Sequence, residues 1–162
     1  MGPDRLPSDW PLREHSEFVH CAGTLWHIQR IGSGPVILLL HGTGSSSHSM
    51  AGLAEHLSHQ FTCLLVDLPG QGFTPPIEER EHLLSAMAGA ISLLCKQLEL
   101  DPDYVIGHSA GAAVGIRMCS EQPAIEWHPQ KFRAAAGSQW VGSVAWRCFV
   151  KRCKTGRVYG LF

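Results

Sequence analysis

A serine between two glycines is the residue of this sequence best placed to do covalent chemistry. Gly107, His108, Ser109, Ala110 and Gly111 form the pattern G-x-S-x-G between an apolar run and a segment with helical spacing. This context predicts a nucleophile elbow, a sharp turn that exposes the serine hydroxyl at the start of a helix. The glycines leave room for the turn, and the helix N-terminus stabilises developing negative charge. Ser109 is therefore the candidate nucleophile for an ester-like carbonyl.

A second glycine-rich segment can supply hydrogen-bond donors to such a reaction. His41, Gly42, Thr43 and Gly44 directly follow a continuous apolar run. In hydrolases with this kind of elbow, a loop after an earlier strand and the residue after the nucleophile each donate a backbone N–H to the oxyanion. Those donors would be the amides of Thr43 and Ala110. The simpler alternative is a turn that only reverses the chain, and His41 is expected to order the loop rather than act as a base. The loop lacks the Lys-Ser/Thr of a phosphate-binding loop.

The hydrophobic pattern predicts the elements that position these motifs. A hairpin that turns at Ala22-Gly23 precedes three buried strands, which are predicted at residues 36–40, 63–66 and 104–106. Helical spacing predicts helices at residues 50–57, at residues 83–98 and from residue 110 to about residue 120. Strands that alternate with helices predict a parallel sheet with right-handed crossovers. Asp67 opens the turn Asp-Leu-Pro-Gly-Gln-Gly after the second buried strand and is expected to fix that turn rather than bind a metal.

These signatures, in this order, resemble the α/β-hydrolase fold. Further matches resemble the accessory proteins of magnesium chelatase in bacteriochlorophyll biosynthesis, over residues 9 to about 120. The matching segments are Trp10-Pro11, Arg13-Glu14, Trp26-His27-Ile28-Gln29, residues 39–44, His48-Ser49, residues 67–70, Gly72-Phe73-Thr74 and residues 107–111.

The resemblance implies a fold class, a chemistry and a set of partners. The implied fold is a truncated α/β-hydrolase fold, with a mostly parallel sheet, an N-terminal antiparallel hairpin and helices on both faces. The implied chemistry is hydrolysis of a small-molecule ester through an acyl-enzyme. The alternative is a non-catalytic accessory module that binds a tetrapyrrole-like or acyl ligand, with magnesium chelatase as its partner in photosynthesis. No cofactor and no metal site is predicted, because cysteines and histidines lack metal-ligand spacing.

The catalytic triad of this fold is incomplete in the sequence. The fold places an acid and then a histidine after the serine, but the later acids are only Glu121 and Glu126, and the later histidine is only His128. A helix would carry Glu121 roughly 18 Å from the serine, to the opposite edge of the sheet. We therefore expect weak or absent activity. His41 or His108 is an alternative base, although the strand-to-turn geometry predicts that His108 points away from the serine.

Charge divides the chain near residue 124. Residues 1–123 hold 13 acidic and 6 basic side chains, whereas residues 124–162 hold 1 acidic and 7 basic, with three of the five tryptophans. We predict the N-terminal part of a hydrolase domain over residues 1–123 and a divergent basic tail over residues 124–162. The tail is either an out-of-frame or truncated end, or a genuine divergent cap.

Loss of the later strands predicts marginal stability and an exposed apolar sheet edge beyond residues 104–106.

Composition excludes some classes of protein. A formal net charge of −1 argues against a generally basic nucleic-acid-binding protein. The basic cluster of the tail is an alternative site for nucleic acid or anionic lipid, although a solvated end explains it more simply. The polar, proline-rich residues 1–11 do not predict a secretory signal, and no apolar run is long enough to predict a membrane span. The six cysteines include no C-x-x-C pair, so we expect a cytoplasmic protein with reduced thiols.

Overall fold

A mixed β-sheet with helices on both faces forms the scaffold of the protein. The computed structural model describes residues 6–77 and 83–120 and the backbone of residues 148–152 and 157–160. The elements in chain order are β1 (Ser16–Cys21), β2 (Thr24–Ile31), β3 (Val36–Leu40), α1 (Ala51–Leu57), β4 (Thr62–Val66), α2 (Leu83–Gln97), β5 (Tyr104–His108), α3 (Ala110–Ser120), β6 (Cys148–Arg152) and β7 (Arg157–Gly160). The strands and helices predicted up to residue 120 are therefore present, with small differences at their ends.

The centre of the sheet is parallel and its flanks are antiparallel. The strand order is β1-β2-β4-β3-β5-β6-β7. Strand β3 pairs in parallel with both β4 and β5, and the hairpin of β1 and β2 joins β4 in an antiparallel manner. This arrangement confirms the predicted fold class of an α/β sheet that follows an antiparallel hairpin.

The alternation of side chains along the central strands builds two cores. Leu38, Leu64 and Val105 point to the face that α2 and α3 cover, whereas Ile37 and Leu65 pack with α1 on the other face. Strands covered on both faces read as continuous apolar runs, and this is why β3 and β4 carry almost no polar residues. Within the described residues, no helix combines the length and apolar character that a membrane crossing needs.

The outer edge of β5 is covered, and the prediction of an exposed edge there is wrong. Strand β6 runs antiparallel to β5, from the pair Tyr104↔Arg152 to the pair His108↔Cys148, and β7 continues the sheet. An edge strand offers unpaired N–H and C=O groups, and a returning segment of the same chain satisfies them here. The predicted boundary near residue 124 lies outside the described residues and stays a prediction.

The strand order also places a crevice at one edge of the sheet. From β3 the chain moves to β4 on one side, and later returns to β5 on the other side. Loops that follow two such strands leave in opposite directions, and ligands of open α/β sheets bind in the gap between them. Here the loops after β3 and β5 flank this gap. They carry His41 and Ser109, so the topology brings the two predicted motifs together.

Candidate functional site

Ser109 occupies a strained turn between β5 and α3. Its φ angle is 51°, in the left-handed region that side chains other than glycine rarely adopt. Strand β5 ends at His108 and α3 begins at Ala110, so one residue makes the whole turn. The strand–turn–helix geometry that the motif predicts is therefore present. Strain of this kind costs about 1–3 kcal/mol and persists only where the surrounding structure imposes it.

The two glycines of the motif are required by close backbone contacts. A Cβ atom on Gly107 would lie 2.5 Å from the amide nitrogen of Ala112, and one on Gly111 would lie 2.3 Å from the carbonyl oxygen of Leu40. Both distances are far below van der Waals contact. Gly111 thus allows the first turn of α3 to pack directly on the end of β3, which draws Ser109 towards the loop that follows β3.

The start of α3 presents backbone N–H groups beside Ser109. The N–H groups of Ala112 and Ala113 both donate to the carbonyl oxygen of Ser109, at 3.0 and 3.2 Å. Ala110 is the first residue of the helix. The first N–H groups of a helix have no partner within the helix, and together they carry partial positive charge. Ala110 and Gly111 precede these bonded amides, so the N–H of the predicted donor Ala110 belongs to the first, unpaired group of the helix.

The segment that follows β3, residues 41–47, is called the β3 loop, and it lies against the Ser109 turn. A Cβ atom on Gly42 would lie 2.7 Å from Nδ1 of His108 and 3.3 Å from Cβ of Ser109. A small pocket of about 140 Å³ opens at this contact. Its lining residues are Gly42, Thr43, Ser45, Ser49, His108 and Ser109. Two of the predicted site residues in the β3 loop, Gly42 and Thr43, thus share one pocket with the predicted nucleophile.

His108 lines this pocket, and the prediction that its ring points away from Ser109 stays a prediction. The last residue of β5 turns its ring towards Gly42, which has no side chain to occupy that space. The position of the His108 ring next to Gly42 depends on the close approach of the β3 loop to β5. Sequence separation hides that approach, because residue 42 and residue 108 are brought together only by the pairing of β3 with β5.

His41 is buried and holds the β3 loop with both ring nitrogens. Its Nδ1–H donates to the carbonyl oxygen of Gly42 at 2.8 Å, and its Nε2 accepts the N–H of Leu68 at 2.9 Å. These partners define the neutral tautomer with its proton on Nδ1. Burial lowers the pKa of His41 below its ordinary value, against the opposing effects of Gly42 and Asp67. These two hydrogen bonds are the contacts that a residue ordering the loop would make.

Asp67 is fully buried at the end of β4 and fixes the next turn, as expected. Its carboxylate accepts the N–H of Ser47 at 2.6 Å, the N–H of Phe73 at 2.9 Å and the Nδ1–H of His27 at 2.8 Å. Burial acts to raise the pKa of Asp67, but the hydrogen bonds from His27, Phe73 and Ser47 outweigh it and lower the pKa. Gly72 leaves the space for this carboxylate, because a Cβ there would lie 2.1 Å from Oδ2.

Sequence reasoning missed two residues that support the β3 loop. His27 on β2 is fully buried, donates to Asp67 and packs among the rings of Trp10, Phe18 and Phe73. Gln71 accepts the backbone N–H of Gly44 through Oε1 at 2.6 Å. Neither belongs to a catalytic motif, and both act on partners that are distant in sequence, so no local signal identifies them.

The remaining candidates lie elsewhere or outside the described residues. Glu121, Glu126 and His128 fall outside the part of the chain that the structure describes. In that part, no three His, Cys, Asp or Glu side chains come together in a way that could hold a metal ion. A larger cavity of about 300 Å³ lies at the opposite end of β5, where Lys96, Asp101 and Met118 are among its lining residues. It contains none of the predicted site residues.

The fold and the site geometry agree with comparison to known proteins. The family model of the alpha/beta hydrolase fold matches residues 35–139. The chain therefore belongs to the alpha/beta hydrolase fold family.

Individual relatives point in two functional directions. The chain is 35% identical over 125 residues to the magnesium-chelatase 30 kDa subunit of Rhodobacter capsulatus. The matched region covers 76% of this chain and 44% of that protein. It is also 32% identical over 96 residues to a pimeloyl-[acyl-carrier protein] methyl ester esterase of Aeromonas salmonicida. That matched region covers 59% of this chain and 36% of the enzyme.

Solved structures give the same fold. A variant of an epoxide hydrolase from Vigna radiata matches with a TM-score of 0.59 and 26% identity, over 67% of this chain and 35% of that chain. In all three comparisons the chain spans less than half of the length of the matching protein.

Proposed function

We propose that this chain carries the nucleophile half of a serine hydrolase that acts on ester-type carbonyl groups through Ser109. The observation that carries the proposal is the left-handed Ser109 turn at the start of α3, in one pocket with Thr43 of the β3 loop. A hydroxyl held in this way faces a helix N-terminus and a loop of backbone donors, which is the environment that a developing oxyanion needs.

In the proposed reaction, Ser109 Oγ forms a bond with the carbonyl carbon of the ester. The π electrons of the carbonyl move to its oxygen, and the amides of Thr43 and Ala110 donate hydrogen bonds to that oxyanion. Collapse of the tetrahedral intermediate breaks the ester C–O bond, and the departing alkoxide takes up, through solvent, the proton that Ser109 Oγ released. Water then attacks the acyl-enzyme, releases the acid and restores the serine hydroxyl.

Ser109 Oγ must lose a proton when it attacks, and His41 is not the base that accepts this proton. Its Nε2 is the only unprotonated ring nitrogen of the tautomer described above, and that atom already accepts the N–H of Leu68. The sequence after Ser109 contains no Asp, and its single histidine is His128. A site with donors but without a complete triad retains only the catalysis that comes from the oxyanion hole and binding. We therefore expect slow turnover.

Similarity to the magnesium-chelatase subunit favours a second candidate function. In this alternative the chain is a non-catalytic accessory module that binds a tetrapyrrole or acyl ligand and associates with magnesium chelatase, without use of the Ser109 hydroxyl. Its support is the 35% identity over 76% of the chain. The described cysteines Cys21, Cys63 and Cys95 are free thiols. They support the further proposal that the protein works in the reducing cytoplasm.

Labelling with a fluorophosphonate separates the two candidates. The hydrolase proposal predicts that the reagent modifies the wild-type chain at Ser109 and that Ser109→Ala abolishes labelling. Ser92→Ala is the matched control, because Ser92 lies on α2 and its hydroxyl donates to the carbonyl of Ala88. Absence of labelling in the wild type, together with saturable binding of a magnesium-free porphyrin, would favour the accessory function instead.

A further inference from the structure

Three hydrogen bonds tie the β3 loop to the segment that follows β4. That segment, residues 67–74, is called the β4 loop. The N–H of Leu68 donates to His41 at the start of the β3 loop, and the N–H of Ser47 donates to Asp67 at its end. The third bond joins the middle of the loop, where the N–H of Gly44 donates to Oε1 of Gln71 at 2.6 Å.

We propose that Gln71 is a positioning residue that aims the Thr43 amide at the substrate oxyanion. This inference rests on the proposed function. It assigns Gln71 no contact with the substrate, and its effect passes through the backbone of Gly44. Because consecutive peptide planes share an α-carbon, a bond that fixes the amide of residue 44 restricts the orientation of the preceding amide of Thr43.

The middle of the β3 loop needs such a restraint. Thr43 and Gly44 are both exposed, and Gly44 adopts a φ angle of 73° with open space where a Cβ would stand. A long hydrogen bond of 3.3 Å from the N–H of Ser45 to the carbonyl oxygen of Gly42 spans this peptide. Because glycine has wide access to other backbone conformations, this one bond leaves the peptide free to reorient. The bonds of His41 and Asp67 restrain the two ends of the loop. Gln71 restrains the segment between them that carries the Thr43 donor.

The backbone of Gln71 is itself fixed by the β4 loop. The N–H of Gln71 donates to the carbonyl oxygen of Leu68 at 3.0 Å, and its own carbonyl oxygen accepts the N–H of Thr74 at 3.2 Å. The N–H of Gly70 donates to Thr74 in return, at 3.1 Å. These bonds leave the Gln71 backbone little conformational freedom. The Gln71 side chain therefore extends towards Gly44 from a fixed position.

The test compares three variants by amide hydrogen exchange and by the kinetics of fluorophosphonate labelling. Gln71→Ala removes the acceptor, and Gln71→Glu keeps an acceptor oxygen at the same position. Gln97→Ala is the matched control, because Gln97 also bridges two segments through an exposed bond, from its Nε2–H to the carbonyl oxygen of His20, but lies on α2. Exchange of the Gly44 amide reports the bond directly. The maximal labelling rate, kinact, reports transition-state stabilisation, and the inhibition constant, KI, reports reagent binding.

We expect Gln71→Ala to accelerate exchange of the Gly44 amide about fivefold, as for the loss of one hydrogen bond. Its kinact should fall about tenfold with KI unchanged, a smaller loss than removal of a whole oxyanion donor causes. Gln71→Glu should restore protection of Gly44 and recover part of kinact, and Gln97→Ala should change neither quantity. A general loss of structure would raise KI and lower the melting temperature as well.

The outcomes separate the two proposals. If Ser109 reacts in the wild type and kinact is the same in Gln71→Ala, or falls equally in Gln97→Ala, the positioning role is overturned. If the wild-type chain does not react at all, the proposed hydrolase function fails. In that case exchange of the Gly44 amide alone decides whether Gln71 holds the loop, and unchanged exchange in Gln71→Ala overturns that as well.

Discussion

The Nε2 atom of His41 accepts a hydrogen bond from the backbone N–H of Leu68 at 2.9 Å. The bond joins the first residue of the β3 loop to the β4 loop, across the parallel pair of β3 and β4. It gives a motif histidine a structural role, because the nitrogen that a general base would use is already occupied. The neutral ring is therefore part of the scaffold under the Ser109 pocket.

The first prediction concerns the protonation of His41. Because its folded pKa is lowered by burial, the unfolded chain binds more protons below about pH 6.5, the unperturbed histidine value. Stability should thus fall as the pH drops from about 6.5 towards the folded pKa. Denaturant unfolding across this range measures how the free energy of unfolding changes with pH. His41→Gln should reduce this slope, and Gln60→Ala, at an exposed site that does not titrate, should leave it unchanged. A ring with its proton on Nε2 in nitrogen NMR would contradict the assigned tautomer.

The second prediction concerns the Asp67 carboxylate. Asp67→Asn should lower the free energy of unfolding at neutral pH by about 2 kcal/mol or more, since hydrogen bonds to a buried charge are lost or weakened. The folded pKa is lowered, so this contribution is complete above about pH 4 and is lost as the pH falls through the folded pKa. The control is Glu17→Gln, which breaks an exposed 3.2 Å ion pair with Arg30 and should cost less than about 1 kcal/mol. If both variants lose the same free energy of unfolding, the buried hydrogen bonds of Asp67 contribute no more than an exposed ion pair.

The third prediction uses the backbone strain at Ser109. Glycine tolerates the φ angle of 51°, so Ser109→Gly should be about 1 kcal/mol more stable than Ser109→Ala. The matched pair at Ser92, inside α2, should show the opposite order, because glycine in a helix interior costs about 1 kcal/mol relative to alanine. Chemical denaturation of all four variants gives the comparison. The same sign at both positions would mean that Ser109 is not strained.

The fourth prediction concerns the contact between α3 and β3. Gly111→Ala forces a Cβ to within 2.3 Å of the carbonyl oxygen of Leu40 and should destabilise the protein by about 2 kcal/mol or more. Gly89→Ala on α2 meets no atom within 4 Å and should be neutral or stabilising by up to about 1 kcal/mol. Melting temperatures of the two variants report the difference. A stable Gly111→Ala protein would show that α3 does not pack directly on β3.

The fifth prediction concerns two buried thiols. Burial raises the pKa of Cys63 to about 11 and that of Cys95 to about 12, so both remain protonated near neutral pH. Because the thiolate is the reactive form, iodoacetamide should modify these residues slowly in the folded protein and rapidly in urea. Peptide mass spectrometry after timed labelling measures both rates. Rapid modification in the native state would place these side chains outside the core.

The elements around the site were predictable because their signals are local. Continuous apolar runs identified β3 and β4, and the strand, serine turn and helix around residue 109 follow from one short motif. The hairpin turn at Ala22-Gly23 was also predictable, since glycine is a local turn signal, and both residues adopt positive φ angles in the structure. Each of these features depends on residues within a few positions of one another.

The misses all involve contacts between segments that are distant in sequence. The cover over the edge of β5 comes from β6, which follows it by some forty residues. The support of the β3 loop by His27 and Gln71 depends on Asp67 and Gly44, which lie 40 and 27 positions away in sequence. No periodicity encodes such pairs, because either partner could satisfy its hydrogen bonds with other groups or with water.

The sequence by itself determined the fold family and the position of Ser109, because hydrophobic period and glycine placement restrict the backbone locally. Only the tertiary structure decided which groups surround that serine. The pairing of β3 with β4 and β5 brings three loops to one edge of the sheet, and there the hydrogen bonds of His41, Asp67 and Gln71 hold the β3 loop against the β4 loop. Those bonds form between residues that the sequence keeps apart, so their geometry exists only once the sheet is assembled.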